Sequence, residues 1–237
     1  MKKNNLKSYL PYLKHICGMK IDDFRAYGIS YTTGDNRKFF FMDNEADILA
    51  VAHLDTVQRK NFCKYDSKTK RILSPVLDDR LGAFIILEYL LRDLDYDVLL
   101  TVDEEECIST ARHFNLGKKY KWMFSFDHRG NNVELLQYDS PEMRALLAKH
   151  NFQTDSGSYS DLYELEHLGC KGFNFGVGYH NQHSLDAYAN IDDVYNNVEK
   201  FRKFYEANKN THFVHKAKYP LYPGCAKSNA ITIVLDD

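Results

Sequence analysis

The chain has 237 residues, 44% of them hydrophobic and 27% charged, enough for one sizeable core and too little for two. Lys and Arg number 31 against 33 Asp and Glu, a formal charge of -2, so no overall basic field exists to hold a nucleic acid or an anionic membrane. The most apolar stretch, residues 81–91, is broken by Glu88 and flanked by Arg80 and Arg92, far short of the roughly 20 apolar residues of a membrane span.

The charged start, Met1-Lys2-Lys3-Asn4-Asn5, lacks the apolar run of a secretory signal, and a cytoplasmic location is expected. Five dispersed cysteines, none in a CxxC pair, indicate neither a disulfide framework nor a thiolate zinc site. In chain order, residues 24–31 and 37–42 read as a hairpin around Gly34-Asp35-Asn36. Residues 47–52 (DILAVA) read as a short buried strand, and 79–94 carries Leu81, Phe84, Ile85, Leu87, Leu90 and Leu91 at helical spacing. Residues 98–102 (VLLTV) predict a strand, 104–114 a helix, and 122–126 and 133–138 two more strands. Pro141 opens a helix to about Lys149. A helix follows over 161–167, a strand over 171–177 and a long amphipathic helix over 191–207. No linker interrupts this order, so residues 1–237 are expected to form a single domain, with a tail from 211 to 237 that no pattern places. The alternation predicts an α/β fold, a three-layer αβα sandwich around a mixed, mostly parallel sheet whose ligands bind beyond the carboxyl ends of the strands.

Ionisable residues stop strand after strand. The run 49–52 delivers His53-Leu54-Asp55, and residues two apart in a strand share a face, so Asp55 is placed to orient the His53 ring. Asp78-Asp79 stands at the mouth of the apolar helix, and VLLTV ends in Asp103-Glu104-Glu105-Glu106. Asp127-His128 follows the strand 122–126, and Tyr179-His180-Asn181-Gln182-His183 follows the last inner strand. Each cluster taken singly is also explained as a strand-end or helix cap. Five together point to a centre of divalent cations, and a mixed His and carboxylate set without thiolate suits Zn, Mn or Co.

In order, AHLDTV, LDDRLG, TVDEEE, SFDHRG and HNQHSLDAY resemble the motifs of the co-catalytic (dinuclear) zinc exopeptidase superfamily, with its leucine-aminopeptidase-like and glutamyl-aminopeptidase-like branches. The resemblance covers residues 50–188, most of the chain. It implies two metal ions, most simply zinc: His53 and Asp127 on one, Glu105 and His183 on the other, and Asp78 between them. It further implies that Glu104 is the general base, that Asp55 orients His53 and that the Asp78-Asp79 peptide is cis. The intervals between motifs are too short for the inserted domains of some branches, which implies a minimal catalytic domain acting on a peptide or small amide.

The implied activity is that of an aminopeptidase, with an N-acyl amidohydrolase on the same metals as the alternative and a non-catalytic relative as a further one. One departure is Cys107, where the family commonly has Gly. The segment 154–161 resembles a Ser-Asp stretch beside the substrate pocket and reads equally as a helix cap. His180 reads as a residue near the site rather than a ligand. Tyr159 and Tyr179 are candidate substrate contacts, and His212, His215 and Cys225 form a weaker second metal candidate. Oligomeric state stays open.

Overall fold

The computed structural model describes residues 6–157, 159–216 and, for the backbone, 232–233. Its strands are β1 (Ile29–Thr32), β2 (Lys38–Met42), β3 (Ile48–His53), β4 (Lys64–Asp66), β5 (Arg71–Leu73), β6 (Asp97–Thr101) and β7 (Trp122–His128), then β8 (Val133–Glu134), β9 (Thr154–Asp155), β10 (Gly172–Gly176), β11 (Tyr179–His180), β12 (Tyr188–Asn190) and β13 (Thr232–Ile233). Among the described residues five α-helices are interspersed: α1 (Leu10–Gly18), α2 (Leu77–Phe84), α3 (Pro141–Lys149), α4 (Asp161–Glu164) and α5 (Ile191–Asn208).

Nine strands form the main sheet in the order β13-β1-β2-β6-β3-β7-β10-β8-β9. The central four, β6, β3, β7 and β10, are mutually parallel, while β1, β2 and β8 join antiparallel. Parallel neighbours bring their carboxyl ends to one edge, and three of the ionisable clusters are delivered there. A second antiparallel sheet, β11-β12-β5-β4, carries the chain on either side of the last cluster.

Strand β3 shows why the sheet is covered on both sides. All its residues are buried, and they alternate between cores: Ile48, Ala50 and Ala52 enter one apolar cluster, Leu49 and Val51 the other. The first cluster is the larger and takes the apolar faces of α1, α2 and α5. Phe201 and Phe204 of α5 pack on Phe124 and Trp122, with ring centroids 4.6 and 5.7 Å apart. The second face is closed by short elements, with Phe114, Tyr120, Leu162 and Leu165 against Phe39, Phe41, Leu99 and Met123. The sandwich is therefore three-layered but lopsided.

Several elements depart from the sequence reading. Residues 104–114 do not form one helix: Asp103 and Cys107 adopt positive φ (63° and 57°), and only Thr110–His113 winds into a 3₁₀ turn, with Ser109 accepting the Ala111 N–H. Phe24 lies in a 3₁₀ turn, Ile21–Ala26, so the hairpin begins at Ile29. The strand expected over 133–138 stops at Glu134, because Leu136 turns to positive φ and the chain coils into a 3₁₀ turn. The apolar helix begins at Leu77 and widens to π-type hydrogen bonding over Ile85–Leu90. The helix expected over 161–167 splits into α4 and the 3₁₀ turn Glu166–Leu168. Of the tail, Phe213 accepts the Lys171 N–H and donates to Lys121 O, and His215 Nε2 lies 2.6 Å from Glu166. His215 is thus paired with a carboxylate, whereas Cys225 of the weaker metal candidate lies outside the described residues.

Candidate metal centre

Strand β3 ends on His53, whose side chain is wholly buried. Its Nδ1 lies 3.0 Å from the backbone carbonyl of Asp55 and 3.5 Å from that residue's Oδ1. A carbonyl can only accept, so this contact places a proton on Nδ1 and turns Nε2 toward the acidic groups. Asp55 thus contacts the ring through its main-chain carbonyl more closely than through its carboxylate. Its Oδ2 accepts the Glu105 N–H at 3.1 Å, tying the strand end to the turn after β6.

Asp78 stands where β5 passes into α2. The Asp78-Asp79 peptide is cis. The Asp79 side chain folds back to accept the Gly82 N–H at 2.9 Å, and a Cβ at Gly82 would collide with that carboxylate, so the motif needs glycine there. Beside them Arg80 is buried, stacked on Phe24 with its guanidinium carbon 4.9 Å from the ring centre. These contacts aim Asp78 at the strand ends rather than capping the helix with it.

The geometry then closes. His53 Nε2 lies 3.2 Å from Asp78 Oδ1 and 3.4 Å from Asp127 Oδ1. His183 Nε2 lies 3.1 Å from Asp78 Oδ2 and 2.9 Å from Glu105 Oε2. Two clusters of potential ligand atoms result, His53-Asp78-Asp127 and Asp78-Glu105-His183, with one Asp78 oxygen in each. Ligand bonds of about 2.0–2.2 Å at tetrahedral angles set donor atoms about 3.3–3.6 Å apart. The observed separations lie at or inside that spacing, so both donor sets are of a kind that could hold a divalent cation, with Asp78 contributing to each. Glu105 Oε1 is buried without a hydrogen-bond partner, as expected of a carboxylate that awaits a positive charge.

Electrostatics point the same way. Burial, with the charge of Asp78, pushes Asp127 well above the usual carboxylate range. Burial and Asp127 push Glu104 up to about 9, and burial with Asp78 raises Glu105. Asp78 goes the other way: burial raises it, but hydrogen bonds from His183 and His53 hold it below its ordinary value. His53 is raised despite its burial, because Asp127 faces it. A cluster in which carboxylates must share protons is one that divalent cations relieve.

Glu104 belongs to neither ligand cluster. Its Oε2 is 3.8 Å from His53 Nε2, and it lines a cavity of about 360 Å³ together with Asp78, Glu105, Asp127 and His183. Of the seven residues given ligand, base or orienting roles, Asp78, Glu104, Glu105, Asp127 and His183 line the cavity and His53 and Asp55 lie behind them in contact with Asp78 and Glu105, while the candidate substrate contacts Tyr159 and Tyr179 also line it. His180 stands outside both clusters, its ring against Tyr188.

The sequence reading did not single out the scaffolding around Asp127. The Asn174 side chain accepts the Asp127 N–H at 3.0 Å, and the Tyr179 hydroxyl donates to the Asp127 carbonyl at 2.8 Å. Nor did it settle Asp161, which is buried and accepts from Thr101 Oγ1 at 2.9 Å and from Ser109 Oγ, pinning the loop that follows the glutamates. Ser160 caps α4, so the 154–161 segment is both a helix start and a brace for the site.

No family model matches the chain, and no curated protein sequence does. Solved structures do. An aminopeptidase from the archaeon Desulfurococcus kamchatkensis aligns at TM-score 0.59 and 13% identity over 97% of this chain and 99% of its own. The TET1 peptidase of Pyrococcus horikoshii aligns at 0.57 and 13% over 84% and 98%, and the aminopeptidase PepT of Bacillus cereus at 0.54 and 12% over 85% and 92%. The chain shares the α/β fold of these peptidase structures.

Proposed function

We propose that the protein is a hydrolase of peptide or amide bonds that works with two divalent cations, most simply zinc, with manganese or cobalt as the chemical alternatives, and that it removes N-terminal residues as an aminopeptidase. The observation that carries the reading is the pair of donor clusters sharing Asp78, set in a cavity with a glutamate left over. The fold it shares with aminopeptidases supports the same class of reaction.

Cations held by His53, Asp78, Asp127, Glu105 and His183 would supply Lewis-acid activation of a carbonyl and a lowered pKa for water. The chain's own contribution is position and proton handling. Asp78 presents one oxygen to each side, and Asp55 steadies His53 through its carbonyl and Glu105 through its carboxylate. Glu104 is buried beside Asp127 and belongs to neither donor cluster, so its carboxylate is left over next to the ligands. It is suited to take a proton from the attacking water and pass it to the leaving amine.

The test is a digest of paired peptides, identical except for a free or acetylated N-terminus, by metal-loaded protein, read by mass spectrometry. Residues are expected to leave only the free peptides, and Glu104→Gln is expected to lower turnover by about 10²–10⁴-fold while metal content is kept. Release of acetyl groups instead would replace the aminopeptidase by a deacylase. Full activity of the Glu104→Gln protein would overturn the assignment of the base.

A further inference from the structure

The cavity that holds the metal ligands is lined as well by His128, Glu134 and Gly157, none of which belongs to either ligand cluster. Glu134 is 3% exposed and His128 5% exposed. Glu134 Oε1 and His128 Nε2 make no hydrogen bond of ordinary geometry, the nearest donor to the Glu134 carboxyl besides Asn174 being the Gly157 main chain. A buried carboxylate oxygen with nothing to accept is costly unless a ligand supplies the donor. Among the described residues the cationic partner within ion-pair reach of Glu134 is the weakly basic His128, with Nδ1 at 3.8 Å. Arg129 lies at the exposed side of the same cavity and makes no ion pair with it.

The placement of Glu134 is built in. It faces Asn174 directly across the antiparallel β8-β10 pair, so the two side chains share a face. Asn174 Nδ2 donates to Glu134 Oε2 at 3.1 Å, while its Oδ1 accepts the Asp127 N–H at 3.0 Å. One amide side chain thus sets the distance between the carboxylate and the metal-ligand strand. Gly157 completes the cradle: a Cβ there would collide with the Glu134 carboxyl, so the chain passes close only because it is glycine. Asp155, half exposed, adds a second negative charge 3.7 Å from His128 Nε2.

We infer that Glu134, flanked by His128 and Asp155, is a specificity subsite for a cationic side chain on the residue being removed, a lysine or arginine. The inference rests on the aminopeptidase reading for its substrate but on Glu134 itself for its charge. An α-ammonium sits next to the scissile carbonyl and so beside the metal ligands. Glu134 belongs to neither donor cluster and is set off from the Asp127 main chain by the Asn174 side chain within the same cavity, the position assigned to the amine at the end of a lysine's methylene chain. The salt link to a desolvated carboxylate supplies the selectivity, since an uncharged chain of the same shape leaves Oε1 without a donor.

Binding decides the matter apart from turnover. Calorimetric titration of zinc-loaded full-length Glu104→Gln protein with L-lysinamide and L-norleucinamide compares ligands that differ in the side-chain amine. Lysinamide is expected to bind at least about tenfold more tightly. Adding Glu134→Gln, which keeps an acceptor for Asn174, or Gly157→Ala, which displaces the carboxyl, is expected to remove that ratio. Equal affinities, or a ratio that survives both variants, would overturn the subsite. Parallel hydrolysis of lysyl and norleucyl anilides by the active protein separates the two proposals: a binding preference without hydrolysis leaves the subsite standing and sinks the aminopeptidase reading. Hydrolysis of both substrates with no binding preference does the reverse.

Discussion

The two donor clusters that share Asp78 are built differently. His53 and Asp127 come from β3 and β7, adjacent parallel strands in the middle of the sheet, and the His53 side chain is wholly buried. Glu105 sits in a turn, and His183 in the loop between β11 and β12 at positive φ, its side chain 49% exposed and its carbonyl held by Gln58 Nε2 at 2.8 Å. The inner half is set by the hydrogen-bond ladder of the sheet, and the outer half depends on loops agreeing with one another. Preorganised donors lose less entropy on binding, so the inner cation is expected to be held more tightly.

The largest effect expected from this contrast is at His53. Replacing a partner of a ligand costs about 10–100-fold in metal affinity, so His53→Ala should cost more than about 100-fold and leave no tightly held inner ion, read by metal analysis after dialysis. His183→Ala should retain close to one ion per chain while activity falls. Equal loss from both variants would break the inner-outer distinction, and stepwise removal of metal by a chelator would sharpen it.

A second expectation concerns pH. In the metal-free protein Glu104, Glu105 and Asp127 have folded-state pKa values above their ordinary ones, chiefly through burial, and His53 and His183 are raised as well. Groups raised on folding bind more protons in the native state. Their contribution is therefore present below the unfolded pKa and lost as pH climbs through the folded one. Between about pH 4.5 and 9, the interval spanned by Glu104, the metal-free protein should lose stability as pH rises. Zinc should oppose that trend, because ligands must be deprotonated to bind. Thermal melts with and without metal at pH 5.5 and 8 read the sign, and a metal-free protein that is more stable at pH 8 would contradict it.

The smallest effect lies in the turn that carries the outer glutamate. Cys107 is exposed and adopts φ of 57°, a conformation that glycine reaches without a side-chain penalty. The resemblance to the zinc exopeptidases implies glycine at this position, and the structure gives the physical reason. Cys107→Gly is expected to change stability by no more than about 1 kcal/mol, in the stabilising direction, by denaturant titration.

Much of the site was legible because parallel strands end at one edge. A sequence in which buried runs such as ILAVA and VLLT stop at His53 and at Glu104 and Glu105 announces that edge without any coordinates. The hairpin loop carrying His183 was legible from its order in the motif series. The turn at 104–114 was not, since helix-forming glutamates conceal the left-handed residues Asp103 and Cys107, neither of which is glycine. Glu134 was passed over, and His128 was read only as part of the Asp127 cluster, for another reason: each has an ordinary local setting, and what frames the Glu134 carboxyl is Asn174 and Gly157, brought in from distant strands and loops.

The amino-acid sequence by itself therefore determined the layered α/β plan, through the alternation of buried strands and apolar helices, and the identity of the ionisable residues at the strand ends. Those are local properties, written within a few residues of each position. The tertiary structure decided how the donors divide about Asp78, how Asp55 meets His53 through its main chain, and which buried carboxylate oxygens are left without a hydrogen bond. Such pairings depend on side-chain contacts of a few ångströms between segments far apart in the chain, and only folding brings those segments together.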